Sequence, residues 1–198
     1  MSKLFVDEIV HQSSQGSGTI TLGASGETVA LASGASVGAG MGKVLQVVST
    51  VKTDVFSTTA SLDARVTITG LTATITPSST SSKILILTSL VFGASSNNHS
   101  GYELVRDSTS IFIGDASSSR PRLTTAATVQ SSGATWETET SSSVALDTPN
   151  TTSATTYSIK IGGNGSATIY LNRSGRDRTD APGDGRYVST ITLMEIAG

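Results

Sequence analysis

The chain has no cysteine, which excludes disulfides, thiolate metal sites and a thiol nucleophile. Charge is scarce too. Asp, Glu, Lys and Arg make up 14 % of the 198 residues, against about a quarter in ordinary globular chains. The 13 basic and 15 acidic side chains leave a formal charge of −2, without the basic stripe that a nucleic-acid partner needs. Histidine is limited to His11 and His99, far apart in sequence, which read as surface residues rather than as a ligand pair or a general base. No apolar run is long enough to cross a bilayer as a helix, so membrane insertion is not expected. Met1-Ser2-Lys3 leads into Leu4-Phe5-Val6, but Asp7 and Glu8 cut that run short of a signal peptide. No stretch shows a convincing helical period. Nothing in this inventory calls for a cofactor or a metal, and no enzyme activity is expected.

What is present instead is Ser, Thr, Ala and Gly, interrupted by short apolar runs. Thr favours strands, while Ser and Gly favour turns, so the composition leans all-β. The stretch from Gly18 to Gly40 holds two alternating runs, Thr19-Ile20-Thr21-Leu22 and Thr28-Val29-Ala30-Leu31, with Gly23 and Gly26 between them. Ile20 and Leu22 share one face, as do Val29 and Leu31, because strand side chains alternate. A lone hairpin of this size is marginal in water. Its simplest resolution is to meet copies of itself around an axis, giving an intertwined trimeric β stalk. A flexible Gly/Ala/Ser linker is the alternative. Upstream, Leu4, Phe5, Val6, Ile9 and Val10 have no domain of their own to bury them, so a docking partner is expected. The division read from this is residues 1–17 as an N-terminal anchor, 18–42 as stalk and hinge, and 43–198 as a β-sandwich head.

From Lys43 onward short strands recur. Leu45, Val47, Val51 and Val55 face one way and Gln46, Lys52 and Asp54 the other. Val66–Ile68 and Leu71–Ile75 are further strands. Pro77–Ser82 is a loop. The run Lys83–Phe92 is nearly continuous apolar, which suits a central strand buried on both faces. Gly93–Gly101 reads as a polar loop, and Tyr102–Val105 with Ile111–Ile113 as a hairpin. Leu123–Val129 is a weaker strand, and Val144 with Leu146 a short one. Tyr157, Ile159 and Ile161, then Gly162–Gly165, then Ala167, Ile169 and Leu171 form the clearest hairpin signal. Tyr187–Ile196 closes the set. Such spacing indicates a β-sandwich or jelly roll.

Catalytic patterns are weak. Gly34-Ala35-Ser36-Val37-Gly38 matches the G-x-S-x-G elbow literally, but lacks the strand–turn–helix context and a His partner. Asp177, Asp180 and Asp184 are not at calcium-loop spacing. Glu137 and Glu139 are the only local carboxylate pair suited to glycoside cleavage, and a solvated strand edge explains them. Trp136, the only tryptophan, lies in a polar stretch where it can stack on a sugar or cap an interface. With Arg176, Asp177 and Arg178 of the loop Arg173–Gly185, it makes the set of candidate receptor contacts. The bland reading of that loop is a solvated polar segment in which Asp and Arg interleave.

Several motifs carry a resemblance. Leu4–Val10 followed by Gly18–Gly23, Gly42–Ser49, Ile75–Leu85, Leu104–Thr109 and Ser189–Ile196 are similar to segments of tailed-bacteriophage fibre and virion structural proteins, especially those of aquatic phages. The resemblance implies a homotrimeric virion protein with a jelly-roll-like C-terminal domain, exposed on the particle. It implies partners among other virion proteins through the N-terminus, and host surface glycans through the head. Two positions are compatible with it: a tail fibre or tip for host attachment, or a capsid accessory such as a head fibre or decoration protein.

Overall fold

The computed structural model describes residues 43–129 and 135–198. The chain divides between Met41 and Gly42, and every described residue belongs to the second unit. The anchor residues Leu4, Phe5, Val6, Ile9 and Val10, the stalk residues Ile20, Leu22, Val29 and Leu31, and the elbow-like Gly34–Gly38 lie outside the described residues.

Alternating sequence produces strands, and the described residues hold eleven of them and no helix. They are β1 (Val44–Lys52), β2 (Phe56–Thr58), β3 (Val66–Ile75), β4 (Lys83–Ala94), β5 (Asn98–Arg106), β6 (Thr109–Ile111), β7 (Thr125–Val129), β8 (Glu139–Asp147), β9 (Thr155–Gly163), β10 (Ile169–Leu171) and β11 (Ser189–Ile196). β4 is the longest and organises the first sheet. Along one edge it pairs with β11 and then with β10, and along the other with β8. β1 extends the sheet beyond β11, and β2 beyond β10. The second sheet runs β3-β9-β5, with β6 and β7 sharing the far edge of β5. All these pairings are antiparallel. With the short β2, β6 and β10 set aside, the orders are β1-β11-β4-β8 and β3-β9-β5-β7. The chain crosses between sheets at nearly every connection. Two four-stranded sheets wound in this order form a jelly roll, so the expected fold class is the observed one.

The core lies between the sheets. Ile84, Ile86, Leu90 and Phe92 of β4 and Ile191 and Leu193 of β11 meet Ile68 and Leu71 of β3, Tyr102 of β5 and Tyr157, Ile159 and Ile161 of β9, all fully buried. Each such side chain contributes roughly 1.5–3 kcal/mol of burial. Phe92 and Tyr102 stack across the gap with ring centroids 6.4 Å apart. The Tyr102 hydroxyl shares a hydrogen bond of 2.7 Å with Thr88, which satisfies the one polar atom that the ring carries into the core.

The structure corrects three expectations. First, β4 is covered on one face only: Ile84, Ile86, Leu90 and Phe92 are buried, while Leu85, Leu87 and Val91 on the other face are only partly so. Its continuous apolar character arises because the outward positions are apolar too. Second, Tyr157–Ile161 and Ala167–Leu171 are not a hairpin. β9 pairs with β3 and β5, whereas β10 pairs with β4 and β2 in the other sheet. Gly162 and Gly163 there serve close approach at a corner: a β-carbon on Gly163 would sit 2.4 Å from Asn98 Oδ1 and 2.5 Å from Ile169. Third, the loop expected over Gly93–Gly101 shrinks to residues 95–97, because β4 runs to Ala94 and β5 starts at Asn98.

The outer face of the first sheet follows from register. Val47, Met194, Leu85 and Leu146 lie in one row across β1, β11, β4 and β8. Ser49, Thr192, Leu87 and Val144 make the next row, and Val51, Thr190, Ser89 and Ser142 the one after. The apolar face of β1 noted in the sequence is thus the outward one.

Candidate functional site

The strand directions separate the two ends of the sandwich. Val44, Ile196, Ile84 and Asp147 lie at one end, since Val44 pairs with Ile196 and Ile84 with Asp147. Lys52, Ser189, Phe92 and Glu139 lie at the other. The longest segment without a strand in this domain, residues 172–188 between β10 and β11, belongs to that far end. So does the turn carrying Trp136, just before β8.

The base of the long loop is tightly held. The backbone N–H of Asn172 donates to the carbonyl of Val91 at 2.9 Å, and its carbonyl accepts from Tyr187 N–H at 3.1 Å. Gly93 lets the loop lie directly on the sheet, because a β-carbon there would fall 2.1 Å from the carbonyl oxygen of Arg173. The Arg173 guanidinium sits 3.6 Å above the Tyr170 ring, a cation–π contact.

Above this base, arginines and aspartates pair in two groups. Asp184 is the centre of the first: its Oδ1 accepts from Arg176 Nε at 2.8 Å, and its Oδ2 accepts from both the backbone N–H and Nε of Arg178 at 3.1 Å. Its side chain is 1 % exposed. Burial alone would push the Asp184 pKa up, but the hydrogen bonds from Arg176 and Arg178 outweigh it and hold the carboxyl below its ordinary value. Asp177 is the centre of the second group, lying 3.3 Å from Arg173 Nη1 and 2.7 Å from Arg186 Nη1. Arg178 and Arg186 remain more than half exposed, at 58 % and 55 %. They border two adjoining open depressions of about 450 and 260 Å³, one lined by Asp177–Ala181 and the other by Asp177, Arg178, Thr179, Asp184 and Arg186.

The sequence-derived contacts come together here. The backbone N–H of Arg176 donates to the carbonyl of Thr135 at 2.8 Å, so the turn carrying Trp136 is fastened to the arginine loop. Trp136 is 51 % exposed, which makes it a surface ring rather than a core one. The arrangement combines an exposed indole, guanidinium forks, carboxylates and hydroxyls. Indole faces stack on sugar rings, and guanidinium forks bind carboxylates in bidentate fashion. Sequence reasoning missed Asp184 as the buried hub that holds Arg176 and Arg178, and Arg173 and Arg186 as the partners of Asp177, with Tyr170 beneath Arg173. The available signal was the recurrence of Asp and Arg at close spacing through a Gly-containing segment, which the bland reading took for solvated charge.

His99 Nδ1 lies 3.3 Å from Thr128 Oγ1, and His99 is exposed on β5. Glu139 is exposed at the start of β8. Asp177, Asp180 and Asp184 do not join a group of three ligands able to hold a metal ion among the described residues. No described helix is long and apolar enough to cross a membrane.

No protein-family model matches the chain, and no curated protein matches it. Among solved structures, that of the infectious bursal disease virus Gx strain is similar at 17 % identity and a TM-score of 0.38, over 86 % of this chain and 42 % of that one. The chain therefore spans about two-fifths of the length of that structure.

Proposed function

We propose that this chain is a non-enzymatic structural component of a bacteriophage particle: a homotrimeric tail fibre or tip protein that attaches to host-surface glycans. The observation that carries the reading is the separation of the two ends of the head domain. The chain enters the sandwich at Val44, and the loop of residues 172–188 with the Trp136 turn occupies the opposite end. A domain built this way holds these loops at the end opposite the one where the chain enters at Val44. Recognition usually resides on loops over a rigid scaffold, and jelly rolls serve both viral capsids and lectins. The resemblance of the N-terminal and strand motifs to phage fibre proteins supports the same reading. In it, Leu4, Phe5, Val6, Ile9 and Val10 dock on the particle, and Ile20, Leu22, Val29 and Leu31 pack around the trimer axis. Trp136, Arg176, Asp177 and Arg178 meet the receptor. Three copies raise avidity for a repeated glycan without one strong contact.

The test is phage carrying Trp136→Ala together with Arg178→Ala. Both side chains are more than half exposed, and Asp184 keeps its bonds from Arg176 Nε and the backbone N–H of residue 178, so folding of the sandwich and incorporation should be unchanged, while adsorption to host cells should fall about tenfold or more. Normal adsorption by particles containing the variant would remove the receptor role and leave the capsid-accessory position.

A further inference from the structure

We propose that the saccharide taken by the arginine loop is an acidic one, whose carboxylate seats between Arg178 and Arg186. The inference rests on the attachment role proposed above and adds the chemical class of the ligand to it. Three observations carry it.

The first is how the arginines are spent. Asp184 and Asp177 turn both oxygens of each carboxylate to donors of this loop. The two outer arginines still keep most of their own donors. Arg178 reaches Asp184 through its backbone N–H and Nε, and no group among the described residues takes its Nη1 or Nη2. Arg186 reaches Asp177 through Nη1, which leaves Nε and Nη2. A guanidinium carries five N–H donors and no acceptor, so these edges call for oxygen from outside the loop. Both side chains line the same depression of about 260 Å³, and a carboxylate is the group that guanidinium edges bind in bidentate fashion.

The second is anchoring. Arg178 is held on a carboxylate that is 1 % exposed. The backbones of Arg173 and Arg186 form an antiparallel bridge, which closes residues 174–185 into a loop, and Arg173 is braced on the Tyr170 ring. An arginine already held by its inner edge loses less freedom when its outer edge takes a ligand.

The third is charge and surroundings. Residues 172–188 carry four arginines and three aspartates, a net charge of +1 in a chain of net −2. That balance matches a single anionic group. A polyanion meets the carboxylates of Asp177 and Asp180 instead. Thr179 lines both depressions and Asp180 the wider one of about 450 Å³, a volume in the range of small-ligand sites. Their oxygens suit the hydroxyls of a sugar ring, and the turn with Trp136 is fastened alongside through Thr135 and Arg176. A neutral sugar leaves both arginine edges in water and gains nothing from them.

The test uses the purified full chain and the fluorescence of its single tryptophan. Trigalacturonate, a hyaluronan tetrasaccharide and sialyllactose are each titrated beside the methyl ester of the same saccharide, which keeps the rings and removes the charge. At least one acid is expected to bind about tenfold or more tighter than its ester, with the preference fading as salt is raised. Arg178→Gln and Arg186→Gln, each checked for folding by circular dichroism, should bring that acid down to the level of its ester. Arg178→Lys, which keeps the charge but loses the fork, should recover only part of the preference. Acids and esters that bind alike would overturn the proposal, as would no binding by any acid up to about 10 mM; both outcomes are read on the unmodified chain. A loss that acid and ester share in the glutamine variants marks a collapsed loop and would overturn it too. So would displacement of the acid by inorganic phosphate at equal concentration, which marks a bare anion site. Failure here is separable from failure of the attachment role. Acid and ester binding alike, with adsorption lost in the Trp136→Ala, Arg178→Ala phage, removes only the acidic ligand. Normal adsorption with the acid preference intact removes only the attachment role.

Discussion

The Ser189 hydroxyl donates to the side-chain carbonyl of Asn172 at 2.6 Å, and the two residues bracket the loop that carries the candidate contacts. The amide of Asn172 donates in turn to the carbonyls of Lys52 at 2.8 Å and Asp54 at 3.0 Å. Asn172 is fully buried and holds φ at +66°, a left-handed region that Asn tolerates better than most residues. Asn172→Ala removes all three side-chain bonds and keeps a β-carbon in that region. We expect a loss of roughly 2–4 kcal/mol, read from urea unfolding at unchanged m-value. Asn172→Gly relaxes the backbone and should lose less. Asn172→Ala combined with Ser189→Ala should fall short of additive, because the two share a bond.

Glu195 makes a second prediction. It is fully buried, yet its hydrogen bonds come from neutral groups: Gln46 Nε2 at 2.5 Å, Ser78 N–H at 2.7 Å and Ser78 Oγ at 2.6 Å. Burial would raise its pKa, but the bonds from Ser78 and Gln46 outweigh burial and hold it at about 2, below the ordinary 4.5. A carboxyl with a depressed folded-state pKa contributes its stability above the unfolded value and loses it as pH falls toward the folded one. Stability should therefore hold down to about pH 4.5 and drop between there and pH 2, by up to about 3 kcal/mol from this group. Asp184, also held low by its arginines, acts in the same direction. Glu195→Gln should lower Tm near neutral pH and flatten the acid limb, as measured by calorimetry across pH 6 to 2.

Strand positions were largely legible, because alternation of apolar residues reports a strand directly. Tyr157, Ile159 and Ile161 were read correctly as one face of a strand, and all three are buried. What alternation does not report is the partner. The following residues Ile169 and Leu171 are also buried, but from the opposite sheet, and a glycine run that looks like a turn is a corner between layers. Nor does alternation say which face is inward: Val47 and Val51 form the apolar face of β1, yet they point away from the core. At the candidate site, Trp136 and Arg176 stood out by composition. Their proximity rests on a backbone bond across forty-one positions of chain, from Arg176 N–H to the Thr135 carbonyl, and no local pattern encodes it.

Asp147 carries a third prediction. Arg106 Nη1 donates to both of its carboxylate oxygens at 2.9 and 2.8 Å, and the Tyr157 hydroxyl donates to Oδ2 at 2.6 Å. The carboxyl is 9 % exposed and the guanidinium 28 %. Burial, then the hydrogen bond and charge of Asp147, push the Tyr157 pKa up, so the phenol stays protonated as a donor throughout the ordinary pH range. Arg106→Ala leaves a nearly buried carboxylate without its cation. This should cost about 2–4 kcal/mol at pH 7. Asp147→Asn in the Arg106→Ala background should recover part of the loss, by removing the stranded charge. Chemical unfolding of the two variants at neutral pH checks both signs.

The last prediction concerns the N-terminal residues. Leu4, Phe5, Val6, Ile9 and Val10 crowd five sizeable apolar side chains into a segment too short to bury them itself. The head domain has a complete core without them, since both sheets supply fully buried residues from Ile68 through Leu193. Removing Met1–Gln15 should therefore leave thermal stability of the head within about 1 kcal/mol of the full chain. It should also leave the assembly state unchanged, because the proposed stalk residues Ile20, Leu22, Val29 and Leu31 are retained. What should disappear is incorporation into particles, measured by immunoblot of purified virions from a complemented infection. In the proposed trimer, the complementary change, Leu22→Asp with Leu31→Asp, would place several like charges near one axis, where desolvated charge without a partner is costly. It should loosen the stalk while the circular dichroism of the head stays that of a β-sandwich. Incorporation of the truncated chain at wild-type level would move the particle contact into the β domain, where the apolar outer face at the Val44 end is the surface to test next.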